Sequence, residues 1–333
     1  MFRKFSLKIT LFLSPIFLLV LGYFYFDPFM ILRKYDNYPN NFAKSLNRDR
    51  ISTQVFLNNN PKYRYNSFIF GSSRSSVFYT NAWSKHISEK TPFHFDASCE
   101  TIFGISTKLD FIDKQGNKIK NALFVMDGGT FAYEQDTLGS IFVQDYRVSG
   151  LPQWKYHLIF ANSYLSNGFF VAFYDYLLLG KFRHYMRKFL EFREINYTPI
   201  GNDFIFTSYI NEIAKDSIKY YHQPDFFYKR SAKAIVSPPI IQNYQLNYLK
   251  NIKKLLEKHQ TNYKIVIGPT YNQVIFNPKD LQILIDIFGK NHVYDYSGKN
   301  RFSEDIGNYY EIYHYKPQVA NAIMNEIYSS STK

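Results

Sequence analysis

The chain has 333 residues, and its 40 Lys and Arg against 27 Asp and Glu give a formal charge of +13. With 46% hydrophobic and 20% charged residues it is a folded chain, long enough for one large domain or two small ones. Its single cysteine, Cys99, excludes an intramolecular disulfide framework and any cysteine-cluster metal site.

Residues 9–26 form an apolar run of roughly 18 residues, near the minimum for crossing a bilayer. Arg3, Lys4 and Lys8 precede it, and Tyr23, Phe24, Tyr25 and Phe26 end it. Basic residues favour the cytoplasmic side and aromatic rings the interface. A cleaved signal peptide is the alternative, but no small-x-small site follows. Residues 1–28 are therefore expected to be an uncleaved transmembrane anchor. The protein would then be single-pass in the inner, cytoplasmic membrane, with its main domain extracytoplasmic and nucleic acid not a partner. The positive charge is then either a general Lys bias or a surface for anionic lipid or glycan.

Residues 29–62 are polar and Asn-rich and read as a stalk with one short helix at 42–57. From 63 onward short apolar runs alternate with helical patterns. Strands are expected at 66–70, 92–96, 121–126, 263–267 and 292–294. Helices are expected at 75–88, 104–115, 241–259, 281–288 and 317–328, the last with Pro317 in its first turn. This rhythm predicts one α/β domain over 63–333, a three-layer α/β/α sandwich with a mainly parallel sheet. Residues of about 135–235 break the rhythm and read as a helical, aromatic-rich insertion, with helices at 153–164, 168–180 and 181–195. Within the last of these, Lys181, Arg183, Arg187 and Lys188 alternate with Phe182, Met186 and Phe189. That pattern fits a basic amphipathic helix for an anionic surface or a solvated helix packed on the insertion.

Ligands of open α/β sheets bind beyond the carboxyl ends of the strands. The first such place reads Phe70-Gly71-Ser72-Ser73-Arg74. A hydroxyl there is either a plain helix cap or a nucleophile beside backbone N–H groups able to hold an oxyanion. Near the carboxyl end stands Glu311-Ile312-Tyr313-His314. These are either polar loop residues or a base, His314, with Glu311 as its orienting carboxylate. The histidines lack metal-ligand spacing, and no phosphate-binding glycine loop follows a strand, so neither metal nor cofactor is expected. Cys99 reads as a buried structural thiol near the second strand end.

Taken together, Gly71-Ser72-Ser73 and Glu311-x-x-His314 resemble, in order and position, the SGNH/GDSL hydrolases. There the nucleophile follows the first strand and a D-x-x-H turn precedes the last helix. Gly-Ser-Ser-Arg with a late Tyr-His-Tyr-x-Pro resembles the membrane-anchored branch, which includes proteins of teichoic acid D-alanylation and exopolysaccharide O-acetylation. The resemblance covers about 65–130 and 260–330. It implies a serine esterase or O-acyltransferase acting on acyl groups of a cell-envelope glycan or polymer, with a membrane acyl-donor protein as a possible partner. Ser73 would be nucleophile, His314 base and Glu311 its support, with Gly104 and the Ser98 region, Asp127, Gly128 and Arg74 at the oxyanion side. Two departures stand out: Glu311 replaces the usual Asp, and the G-x-N-D block is replaced by Asp127-Gly128-Gly129, whose carboxylate would repel an oxyanion unless turned away. They leave open a second reading, a non-catalytic glycan-binding or assembly protein on a degenerate form of the fold.

Overall fold

The computed structural model describes residues 2–36, 38, 46–134, 139–166, 168–190, 195–223 and 226–329, without side chains at 2–4, 6, 7 and 9. Its central sheet has five parallel strands: β1 (Ser67–Gly71), β2 (Phe93–His94), β3 (Asn121–Met126), β4 (Asn262–Ile267) and β5 (Val293–Asp295). They lie in the spatial order β2-β1-β3-β4-β5. Strand side chains alternate between faces, and here both faces are apolar. Phe68, Phe70, Ala122, Phe124, Ile265 and Ile267 enter one core, while Ile69, Leu123, Val125 and Val266 enter the other. A sheet buried on both sides is the expected home of parallel strands.

The chain begins with helix α1 (Phe2–Phe26), and the helices α2 (Arg48–Tyr63), α3 (Thr80–Ile87), α4 (Ile102–Lys114), α5 (Asn243–His259), α6 (Pro278–Phe288) and α7 (Pro317–Ser329) frame this sheet. The first face takes Phe56 from α2, Leu109 and Ile112 from α4, Leu249 and Ile252 from α5 and Leu284 from α6. The second takes Trp83 from α3 and Val319, Ile323 and Ile327 from α7. Each fully buried Leu, Ile or Phe contributes about 1.5–3 kcal/mol, so helices on both faces stabilise the sheet by shielding it from water. The α/β class with a mainly parallel sheet is thus as the sequence predicts.

Three expectations need correction. The segment read as a stalk is largely core. The start of its expected helix lies outside the described residues, but α2 buries Ile51, Val55 and Phe56 and also its charged residues Arg48, Asp49 and Arg50. Second, among the described residues no helix is long and apolar enough to cross a membrane, so the transmembrane segment finds no support in the fold. Instead α1 is a helix of 25 residues that leaves Leu11, Phe12, Phe17, Leu18 and Phe24 exposed. Only its carboxyl end is covered, by the insertion helices Gln153–Leu165 and Phe169–Leu179, where Tyr23 packs on Tyr164 and Phe26 on Phe173. Third, the basic segment at 181–195 forms only a single turn, His184–Lys188, among the described residues. Its charges therefore do not line one face of a long helix.

Charge, not only apolar area, ties α2 to the domain. Arg48 makes a fork to Asp96 at 2.8 and 2.9 Å, and Arg50 pairs with Asp145 at 3.0 Å. Lys108 of α4, fully buried, lies 2.8 Å from Asp49 and also pairs with Glu100. Asp96, at a strand end where ligands commonly bind, is thereby committed to the scaffold.

Candidate active site

The order β2-β1-β3-β4-β5 reverses direction between β1 and β3, and the crevice at such a switch point is where open α/β sheets bind ligands. Ser73 follows β1 and Asp127 follows β3, so the crevice opens between them. Ser73 begins a short turn, Ser73–Val77, that separates β1 from α3; the continuous helix expected at 75–88 is absent.

Gly71 makes this turn possible. Its φ is +155°, and a Cβ there would lie 2.4 Å from the Val125 carbonyl oxygen of neighbouring β3. No side chain can give way, because the obstructing atom is backbone. Gly71→Ala is expected to lower the unfolding midpoint and to displace Ser73, in the range of 1–3 kcal/mol typical for overpacking. Thermal unfolding followed by circular dichroism checks it, and an unchanged midpoint would contradict this account of the turn.

His314 reaches Ser73 from the other end of the chain. Its Nε2 lies 2.8 Å from Ser73 Oγ, and its Nδ1 is hydrogen-bonded to Glu311. The second carboxylate oxygen of Glu311 accepts the N–H of Tyr313 at 2.8 Å. A hairpin explains the spacing. Strands Tyr309–Glu311 and His314–Tyr315 run antiparallel with Glu311 opposite His314, so a residue and its third successor become cross-strand neighbours. Here the longer glutamate closes the contact. A carboxylate only accepts, so it selects the imidazole tautomer with hydrogen on Nδ1, leaving Nε2 free to take a proton from Ser73. Glu311 is 7% exposed while Ser73 and His314 are half-buried, so the open end of the relay is the serine. Phe206, from the insertion, packs its ring 4.9 Å from that of His314.

The remaining candidates divide. Arg74 and Asp127 do meet, at 2.5 Å, and Arg74 Nε also donates to the Tyr313 carbonyl at 3.1 Å. Burial opposes the Arg74 charge, but Asp127 more than offsets it and keeps the guanidinium ionised. The other oxygen of Asp127 accepts the Gly129 N–H at 2.6 Å. The carboxylate expected to repel an oxyanion is thus neutralised. Ser73 and Gly128 each hold the first position of a helical turn, where N–H groups are not consumed by the helix itself. Gly104 is a correction. It is buried in the first turn of α4, its N–H is given to Thr101 Oγ1 at 3.0 Å, and a Cβ there would strike Glu100. It therefore has no donor to offer an oxyanion. Ser98 is partly exposed in a turn beyond β2, beside Cys99. Cys99 is exposed rather than buried, with a left-handed φ of 51°. Desolvation raises its thiol above the ordinary value, with Arg74 pulling the other way and Asp127 adding to the rise. Among the described residues no group of three or more His, Cys, Asp or Glu could hold a metal ion.

One arrangement was not legible in the chain. Ser75, two residues after Ser73, donates to the Ser72 carbonyl at 2.7 Å and lies 2.9 Å from His94 Nε2. His94 Nδ1 faces Asp203 of the insertion at 3.6 Å, and Asp203 in turn accepts the Thr80 N–H and hydroxyl. This second Ser, His and Asp set is buried and braces the turn that carries Ser73. Asp203 lies in a segment with no pattern linking it to the sheet, so only the folded chain shows the contact. No protein-family model and no curated protein matches this chain.

Proposed function

We propose that this protein is a membrane-associated serine esterase or O-acyltransferase of the SGNH type, acting on ester-linked acyl groups of a cell-envelope glycan. The observation that carries the reading is the hydrogen-bonded series Ser73, His314, Glu311 at the switch point of a parallel sheet.

In the first step Ser73 Oγ attacks the acyl carbonyl carbon and its proton passes to His314 Nε2. The carbonyl electron pair moves to oxygen, held by the N–H groups of Ser73 and Gly128. The bond to the alcohol oxygen then breaks, that oxygen takes the proton from His314, and an acyl-serine remains. A water or a sugar hydroxyl next loses its proton to His314 and attacks the acyl carbon. The Ser73 bond breaks and Oγ recovers the proton, giving hydrolysis or transfer respectively. Glu311 stabilises the imidazolium in both halves without taking the proton.

A fluorophosphonate probe is expected to label the full-length protein at Ser73, with no label on Ser73→Ala. An unlabelled wild type of intact fold would instead favour the non-catalytic glycan-binding reading. Association with the membrane is supported by the exposed apolar side chains of α1, a larger patch than scattered single residues. Removing residues 1–26 is expected to move the protein from the membrane fraction to the soluble one. Retention of the truncated protein on membranes would refute α1 as the anchor.

A further inference from the structure

Ser72 carries the carbonyl of the peptide unit whose N–H belongs to Ser73. A trans peptide is planar, so that N–H points away from the carbonyl on one rigid unit. Whatever grips the Ser72 oxygen therefore aims the Ser73 N–H, one of the two proposed oxyanion donors.

Two groups of Ser75 grip it, the N–H at 2.8 Å and the hydroxyl at 2.7 Å. The first is the ordinary bond of a tight helical turn; the second is not. A carbonyl oxygen only accepts, so the single hydrogen of Ser75 Oγ lies on this contact. In the 2.9 Å contact between Ser75 Oγ and His94 Nε2, the ring is then the donor and the hydroxyl the acceptor. His94 ends β2, opposite Ile69 of β1 and so two residues short of Gly71 in register. The insertion fixes its backbone. The His94 N–H donates to the Gly201 carbonyl at 2.8 Å, and the His94 carbonyl accepts from Asn202 Nδ2 at 2.6 Å. Ser75 and His94 are wholly buried. Burying a hydroxyl and an imidazole costs more than filling the same space with apolar side chains. What the polar pair adds is a series of hydrogen bonds, each polarising the next.

We propose that Ser75 and His94 are positioning residues of the oxyanion hole. The series from His94 Nε2 through Ser75 Oγ to the Ser72 carbonyl orients and polarises the peptide that presents the Ser73 N–H. This inference deepens the serine-hydrolase reading and rests on it. His314 and Glu311 serve the proton, whereas Ser75 and His94 serve the developing negative charge on oxygen.

The test compares p-nitrophenyl acetate with its thionoester, in which sulfur replaces the carbonyl oxygen. Sulfur is the weaker hydrogen-bond acceptor, so the thionoester draws less on the oxyanion donors. In the full-length protein, Ser75→Ala is expected to lower kcat for the oxygen ester by about tenfold with KM little changed. That is less than the about 10²- to 10³-fold cost of losing a donor outright. The loss on the thionoester should be smaller, so the preference for the oxygen ester narrows. His94→Met should act in the same way. His94→Gln, whose amide can still donate to Ser75, should restore most of the rate and of the preference. If Ser75→Ala fails to fold by circular dichroism, the two His94 variants decide. A role in stability alone would cut both substrates alike. Wild-type kcat in folded Ser75→Ala, or equal losses on the two esters, would overturn the proposal. Fluorophosphonate labelling of wild type separates the two readings. Without label, the serine enzyme falls and this series with it. With label and no selective loss in the variants, only the series falls.

Discussion

Ser73→Ala is expected to lower ester turnover by about 10⁴- to 10⁶-fold, and His314→Ala by a similar factor. The two side chains act as one unit across a 2.8 Å contact, so removing either disables the other. The double variant should accordingly be no worse than either single one, with a residual rate left from the backbone N–H groups and binding alone. Glu311→Gln is expected to cost about 10⁴-fold. Its amide can donate to Nδ1, which would stabilise the tautomer with hydrogen on Nε2 and leave no base facing Ser73. Glu311→Asp keeps the charge but shortens the reach across the hairpin, so its loss should be smaller than that of Gln. Turnover of p-nitrophenyl acetate, with folding monitored by circular dichroism, measures all five variants. Full activity in the folded Ser73→Ala variant, or additive losses in the double variant, would exclude the relay.

Lys108→Met is expected to destabilise the fold by about 3–5 kcal/mol, the cost of leaving buried charge without its partner. Lys108 sits on α4 between Asp49 of α2 and Glu100, all three buried, so its loss leaves two carboxylates facing each other. The same cluster gives stability a pH dependence with a definite sign. Burial pushes Glu100 up to about 7, with Lys108 pulling it down and Asp49 adding to the rise. Between the ordinary glutamate value and about 7, the unfolded chain has released a proton that the folded chain keeps. Stability from this residue is therefore present at the acid end of that window and declines as pH rises through it. Glu100→Gln should flatten that part of the profile while retaining the pair of Lys108 with Asp49. Denaturant unfolding at a series of pH values tests both variants, and a Lys108→Met midpoint equal to wild type would remove the cluster from the stability account.

Much of this was legible in the chain because its causes are local. Short apolar runs with both faces hydrophobic could only be buried parallel strands, and the Gly71 turn and the Pro317 start of α7 mark where elements end and begin. Ser73 and His314 were accessible for the same reason: each lies at a boundary between elements, in a short motif. Gly104 was misplaced because a glycine in a helical first turn looks the same in sequence whether its N–H is free or, as here, bound to a cap. The stalk was misread because charged residues look solvent-facing until partners such as Asp96, Asp145 and Lys108 arrive from distant segments.

The sequence by itself determined the alternation of elements, the parallel sheet and the two motifs at its ends, since propensity and periodicity act over a few residues. Only the tertiary structure decided that Glu311 reaches His314, that Arg74 neutralises Asp127, and that the insertion places Phe206 and Asp203 around the nucleophile turn. Those contacts depend on distances of a few ångströms between residues remote in the chain, and these are fixed only when both faces of the sheet are packed.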